Sequence, residues 1–394
     1  MDRKEEPKHG VYSEEMKSSL RARYSYGILF LLMNVVAWLV RDYGQKFLPE
    51  LHYLKSCGDG GLACFRTTGV LRVSLGCFIF FFLMFISTYN TRKLYEARNM
   101  WHSGWWFPKF ILLVLSLAAP VFLPSSIIHL YGELAQVGAG IFLVLQLISV
   151  IQFIAWWNKH WMPEGERKRS CTIGLVMSTV FYAAALGGIA AMFKFYAFGQ
   201  PLNVFFIAWT LILLVVMMAI SLHSKVNRGL LSSGIMGSYV VFLCWSAIRS
   251  EPAIQKSETR RQANHHDWST ILSFLIGICA IVMATFSTGI DSESFQFRKD
   301  TMKLEDDVPY KYEFFHLVFS LGAMYFAMLF ICWNLKHSSK KWIIDVGWAS
   351  TWVKIVNEWL AATIYLWQLI SPVVIQVRVS DIEEPQDSRT RISG

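Results

Sequence analysis

Five side chains carry most of the chemistry this sequence can offer, and all five fall in stretches apolar enough for a membrane. His129 and Glu133 stand four residues apart in SSIIHLYGELAQ; Lys354, Asn357 and Glu358 share the run STWVKIVNEW. Helical i, i+4 spacing puts His129 and Glu133 on one face, and Lys354 and Glu358 on one face of their own helix. An ionisable side chain in hydrocarbon costs at least about 2.5–3.5 kcal/mol on insertion scales, so each must face a partner, a cavity or the interface. Two readings follow. Lys354 and Glu358 can form an intrahelical ion pair that holds the last helix near the membrane surface. Alternatively, with His129, Glu133 and Asn357, they line a wet groove open to lipid headgroups. Glu133 can also pair with Arg72, and Asn34, Gln146 and Gln152 are further polar residues at membrane depth.

No other motif competes with these. The chain has no HExxH, no Walker loop, no GxSxG and no glycine-rich dinucleotide turn. It therefore reads as a non-enzyme that needs no cofactor. The nearest approach to a metal cluster is His265, His266 and Asp267, in a polar loop where neighbouring histidines are ordinarily solvated, so no metal site is expected.

The elements that hold these residues are apolar helices. Of 394 residues, 54% are hydrophobic and 16% charged, well below the quarter typical of soluble domains. Long apolar runs without period-2 alternation exclude a β-barrel and define an all-α, polytopic membrane protein. Ten spans are expected: Tyr24–Val40, Val70–Tyr89, Phe107–Leu123, Ser125–Met162, Thr172–Met192, Val204–Leu222, Leu230–Ile248, Ser269–Thr288, Tyr312–Trp333 and Ala349–Ile375. Residues 1–23 then form a cytosolic N-terminal segment, 24–376 one ten-helix transmembrane domain, and 377–394 a cytosolic tail. The polar N-terminus runs into the first span without a small-residue cleavage site, so no cleavable signal peptide is expected.

The fourth span, 125–162, organises the rest. It lies between Pro124 and Pro163 and has no proline inside. Fully helical, it would be about 57 Å long, against a hydrocarbon core of about 30 Å. It must tilt steeply or carry a polar end outside the hydrocarbon, and in either case it can tie two groups of helices together. Small residues in the fifth span (Ala183, Ala184, Ala185, Gly187, Gly188, Ala190 and Ala191) are expected to serve close helix packing rather than a ligand.

Loop charge sets the expected orientation. Lys and Arg are about twice as frequent in the segments that face the cytosol when both termini are inside, which favours that topology. The net charge of +9 then suits anionic inner-leaflet lipid rather than nucleic acid, because the basic residues are scattered among loops. Five of the seven cysteines lie in or beside spans as small apolar residues, whereas Cys57 and Cys64 share the loop CGDGGLAC, where they can close an outer-face disulfide or stay apart.

Five stretches together resemble one known family. They are RVSLGCFIFFFLMF, LVLQLISVIQFIAWWNKHW, GLLSSGIMGSYVVFLCWSAIRSEP, DDVPYKYEFFHLVFSLGAMYFAMLF and WASTWVKIVNEWLAATIYLWQLISPVV. Their order and content resemble the serine incorporator (Serinc, also TDE or TMS) family from about residue 20 to residue 376. The resemblance implies ten helices in two bundles joined by a long tilted helix, here 125–162, with lipid bound in a groove between the bundles. It also implies energy-independent phospholipid transfer between leaflets, as described for some members, or an older role: supplying serine to phosphatidylserine and sphingolipid synthesis. The partners implied are membrane phospholipids, phosphatidylserine and sphingolipids among them, with lipid-synthesis enzymes and a second copy of the chain as further candidates. The setting is an endomembrane or the plasma membrane. The loop after the seventh span lacks cysteine and the loop before the ninth is short, departures from the animal members that block retroviral infectivity; that activity is not carried over.

Overall fold

A computed structural model describes residues 8–47, 61–161, 167–224, 226, 230–252, 268–290, 306–335 and 344–390. The five loop and tail features Cys57, Cys171, His265, His266 and Asp267 lie outside the residues whose side chains are described.

The described residues form eleven helices: α1 (Lys8–Phe47), α2 (Gly61–Ser87), α3 (Ala97–Ser103), α4 (Trp106–Phe122), α5 (Ser125–Trp161), α6 (Arg167–Tyr196), α7 (Pro201–Leu222), α8 (Leu230–Arg249), α9 (Trp268–Ile290), α10 (Tyr312–Phe330) and α11 (Trp348–Thr390). Among the described residues the only extended pairing is an isolated bridge between Lys93 and Asp307. Each of the ten apolar runs lies on a helix. Among the described residues, seven helices are long and apolar enough to cross a membrane, or eight if α3 and α4 count as one span bent by 69°. The molecule is an all-helical, multi-pass membrane protein.

Helix limits follow local chemistry. The first helix begins at Lys8 rather than at Tyr24; it carries Gly10 in its first turn, and residues 11–23 hold no glycine or proline to stop it. The α3–α4 bend sits at Gly104 and Trp105, the latter in the left-handed region at φ 52°. Two prolines close α4: Pro120 within its last turn, and Pro124, which follows it. The exposed carbonyls there are taken by Arg72 of α2, whose Nη1 donates to Val121 O at 3.1 Å, Leu123 O at 2.8 Å and also to Pro120 O. The ninth span ends at Phe330, three residues short of Trp333. Cys332 and Trp333 turn left-handed at φ 54° and 56°, and Trp333 N donates back to Met328 O at 2.8 Å.

The chain divides into two compact units: residues 1–149 with 256–350, and 150–255 with 351–394. Two of the three divisions fall inside helices, α5 and α11.

The first unit is held by aromatic rings. Phe30 meets Phe81, Phe319 and Phe326 edge-on at centroid distances of 5.8, 5.0 and 5.5 Å, and all four are buried. Ser74 of α2 donates to Ala323 O of α10 at 2.8 Å and lies 2.8 Å from the Tyr131 hydroxyl of α5. The second unit has an aliphatic centre in which Ile189 of α6, Ile207 and Leu214 of α7, Val241 of α8 and Ile355 of α11 are buried together. Here Gly237 lets α8 approach α7, since a Cβ on it would lie 2.3 Å from Leu214 Cδ1.

Candidate functional site

The five residues marked by the sequence divide between the units. His129 and Glu133 lie in the first, on the opening turns of α5. Both are exposed, on a stripe continued by Leu130, Leu134 and Val137, which are 65%, 56% and 61% exposed. The opposite face buries Ile128, Tyr131, Ala135 and Ala139. Two ionisable groups thus stand on an otherwise lipid-like surface of a 37-residue helix. Gln146 and Gln152, further along, are half-buried.

Lys354, Asn357 and Glu358 lie in the second unit on α11. Lys354 Nζ donates to Ser250 Oγ at 2.6 Å and to Ser246 O at 3.3 Å, both on or just past α8. Glu358 is buried, and its Oε1 lies 2.7 Å from Thr210 Oγ1 of α7. The two side chains therefore reach different neighbouring helices. Glu358 Oε2 and Asn357 Oδ1 are buried without a hydrogen-bond partner. A third contact extends this polar file along α11, where the Tyr365 hydroxyl donates to Ser232 Oγ of α8 at 3.0 Å. Among the described residues no group of three metal-ligating side chains occurs.

Asn34 is satisfied within its own helix, its Nδ2 donating to Phe30 O at 2.8 Å. Cys64 is disulfide-bonded, while its expected partner Cys57 lies outside the described residues.

The sequence reading missed a buried polar knot in the first unit. His102 Nδ1 lies 3.0 Å from His316 Nε2, and His102 Nε2 lies 2.9 Å from the Tyr310 hydroxyl. The His102 ring stacks on Tyr312 at 3.8 Å, and the Tyr312 hydroxyl reaches Ser19 Oγ and Asn99 Oδ1 at 2.9 and 2.8 Å. Lys109 caps the end of α3, donating to the carbonyls of His102 and Gly104 at 2.8 and 2.6 Å, with its Nζ 4.3 Å from the Trp106 ring. His316 inside the apolar run FFHLVF was the available signal. Beside the knot, Lys93 bridges Asp306 and Asp307 at 2.9 and 3.0 Å, and these bonds raise its ammonium above the usual lysine range.

This architecture defines a class, a helical membrane protein with ionisable groups on apolar helices, and comparison with known proteins places it more closely. The chain belongs to the serine incorporator family: the family described as Serine incorporator (Serinc) matches residues 10–306 and 292–378. It is 25% identical to a probable serine incorporator of Nematostella vectensis over 92% of this chain and 91% of that protein. It is 26% identical to a probable serine incorporator of Dictyostelium discoideum over 94% of this chain and 98% of that one. Serine incorporator 3 of Bos taurus is 23% identical, over 92% and 93%.

Proposed function

We propose that the protein is a non-enzymatic lipid scramblase, which binds phospholipid and lets it pass between leaflets without an energy source. The observation that carries this reading is the exposure of His129 and Glu133 on the apolar stripe of α5. Charged groups facing acyl chains are costly, so a face that keeps them is suited to headgroups. Polar side chains along such a face lower the cost of moving a zwitterion through hydrocarbon while its tails stay in lipid. Within the second unit, Asn357 Oδ1 and Glu358 Oε2, one turn past Lys354 on α11, offer unused acceptors of their own.

The test is transfer of a fluorescent phospholipid in proteoliposomes, read by an impermeant reductant added outside. Quenching well past the outer-leaflet half, without leakage, supports the reading; quenching that stops at half with folded protein overturns it. Glu133→Leu should slow transfer several-fold. Because Glu133 is exposed, its stability should stay within about 0.5 kcal/mol of the parent.

A second reading is favoured by the names of the relatives, which are serine incorporators: a carrier or scaffold supplying serine to phosphatidylserine and sphingolipid synthesis. A carrier of this kind is typically built from two broken spans in matching positions. Among the described residues one bent pair, α3 with α4, is found. Saturable binding of radiolabelled serine, or co-purification of lipid-synthesis enzymes, would favour this reading over transfer.

A further inference from the structure

Within the second unit, α6 and α8 run side by side in the same direction. The Tyr182 hydroxyl donates to Ser233 Oγ at 2.9 Å, Ser238 Oγ to Phe181 O at 2.9 Å, and Gly188 lies against Val241 further on. Beside these contacts lies a cavity of about 370 Å³. Ala184, Gly188 and Ala191 form one wall, Phe242 and Trp245 the other. Ala184 and Ala191 are exposed, so this part of the small-residue stripe is not used up in helix packing as the sequence suggested. The Ser238 hydroxyl in the lining is already committed to a backbone carbonyl. With Tyr196 supplying the one other hydroxyl of the lining, such a surface offers mainly dispersion contacts, which suits a hydrocarbon chain better than a free amino acid.

Two cations stand outside the lining, each beside a ring that belongs to it. The rings are those of Phe195 of α6 and Trp245 of α8. Lys194 Nζ stands 5.5 Å from the Phe195 ring, and Arg249 Cζ stands 5.2 Å from the Trp245 ring. Because the helices are parallel, both exposed cations sit at the same end, in the last turns of α6 and α8. An apolar slot with two cations in the adjoining helix ends matches an anionic amphiphile in charge and in layout.

We propose that this cavity holds an acyl chain of an anionic glycerophospholipid, with the phosphate bound between Lys194 and Arg249. The lipid belongs to the leaflet that meets the α6–α7 turn. A sterol lacks the anionic group that the two cations would bind, and a second copy of the chain would have to bring an acidic residue to the same place.

Native mass spectrometry of the full-length protein in detergent tests this, with dioleoyl phosphatidylglycerol and dioleoyl phosphatidylcholine titrated separately. The parent protein should retain one phosphatidylglycerol more tightly than phosphatidylcholine. Each neutralised cation should cost about fivefold in phosphatidylglycerol affinity. Lys194→Gln with Arg249→Gln should therefore abolish most of the preference. Ala191→Phe, which fills the slot from an exposed position, should weaken both lipids alike. Equal retention of the two lipids by the parent, or a preference that survives both variants, overturns the proposal. So does cholesterol retention that depends on Ala191 but not on the cations, or a dimer that Ala191→Phe dissociates. The readout is binding, so the result stands apart from whether the protein moves lipid.

Discussion

The Thr210 hydroxyl lies 2.7 Å from Glu358 Oε1 and 2.8 Å from the carbonyl of Phe206, four residues back along α7. One hydroxyl group thus ties α11 to α7 at a point where both side chains are buried. Thr210→Val keeps the shape and removes the tie, leaving both carboxyl oxygens without a partner. The expected loss is about 1–3 kcal/mol, whereas Glu358→Gln, which keeps an acceptor and adds a donor, should change stability by less than about 1 kcal/mol. Thermal unfolding in detergent decides it, and a Thr210→Val protein as stable as the parent would refute the role given to this contact.

Two glycines on apolar helices should respond in opposite ways to alanine. A Cβ on Gly76 would stand 2.7 Å from Ser116 O and 2.9 Å from Leu117 Cα, both backbone atoms of α4. Neither can turn aside, so α2 and α4 must separate, and Gly76→Ala should lose about 1–3 kcal/mol. Among the described residues, nothing beyond the helix's own backbone lies within 4 Å of where a Cβ on Gly140 of α5 would stand. Gly140→Ala should be neutral or stabilising by up to about 1 kcal/mol through helix propensity. Unfolding temperatures of the two variants, measured side by side, check the pair.

Glu251, just past α8, supplies a pH dependence. Burial pushes its carboxyl above the usual range, opposed in part by a hydrogen bond from Asn203. A native pKa above the unfolded value of 4.5 means that the folded state holds the proton more tightly. The stability it contributes is present below the unfolded value and is lost as pH rises through the native one. Glu251→Gln removes that titration. Its unfolding temperature should be close to the parent's at pH 4 and exceed it increasingly toward pH 7. An equal gap at the two pH values would contradict the assignment.

Hydropathy alone located every apolar helix, because a bilayer demands long runs whose backbone is satisfied internally. The i, i+4 pairs were also legible as shared faces, but not which way those faces turn. His129 and Glu133 look out of their unit while Glu358 looks into its own, a difference set by neighbours rather than by local sequence. Arg72 shows the same limit. It is a candidate partner for Glu133 in the sequence, yet its guanidinium is directed to carbonyls about fifty residues away, at an α4 end that its prolines open. The end of α10 was misplaced because Cys332 and Trp333 adopt a left-handed backbone without the glycine that usually announces it. His102 and His316, 214 positions apart, could be joined only by the fold.

The interleaving of the two units bears on how the chain is made. Ser74 on α2 finds its acceptor at Ala323, 249 residues later, and the second unit is not complete until the helix beginning at Trp348 has been added. Synthesis proceeds from the N-terminus. Helix α2 must therefore wait in the bilayer for α10, with Ser74 lacking its final acceptor, while most of the other unit is inserted between them. Biogenesis thus imposes a long interval during which partly assembled helices depend on temporary partners. A ribosome stalled before Tyr312 would leave neither unit closed.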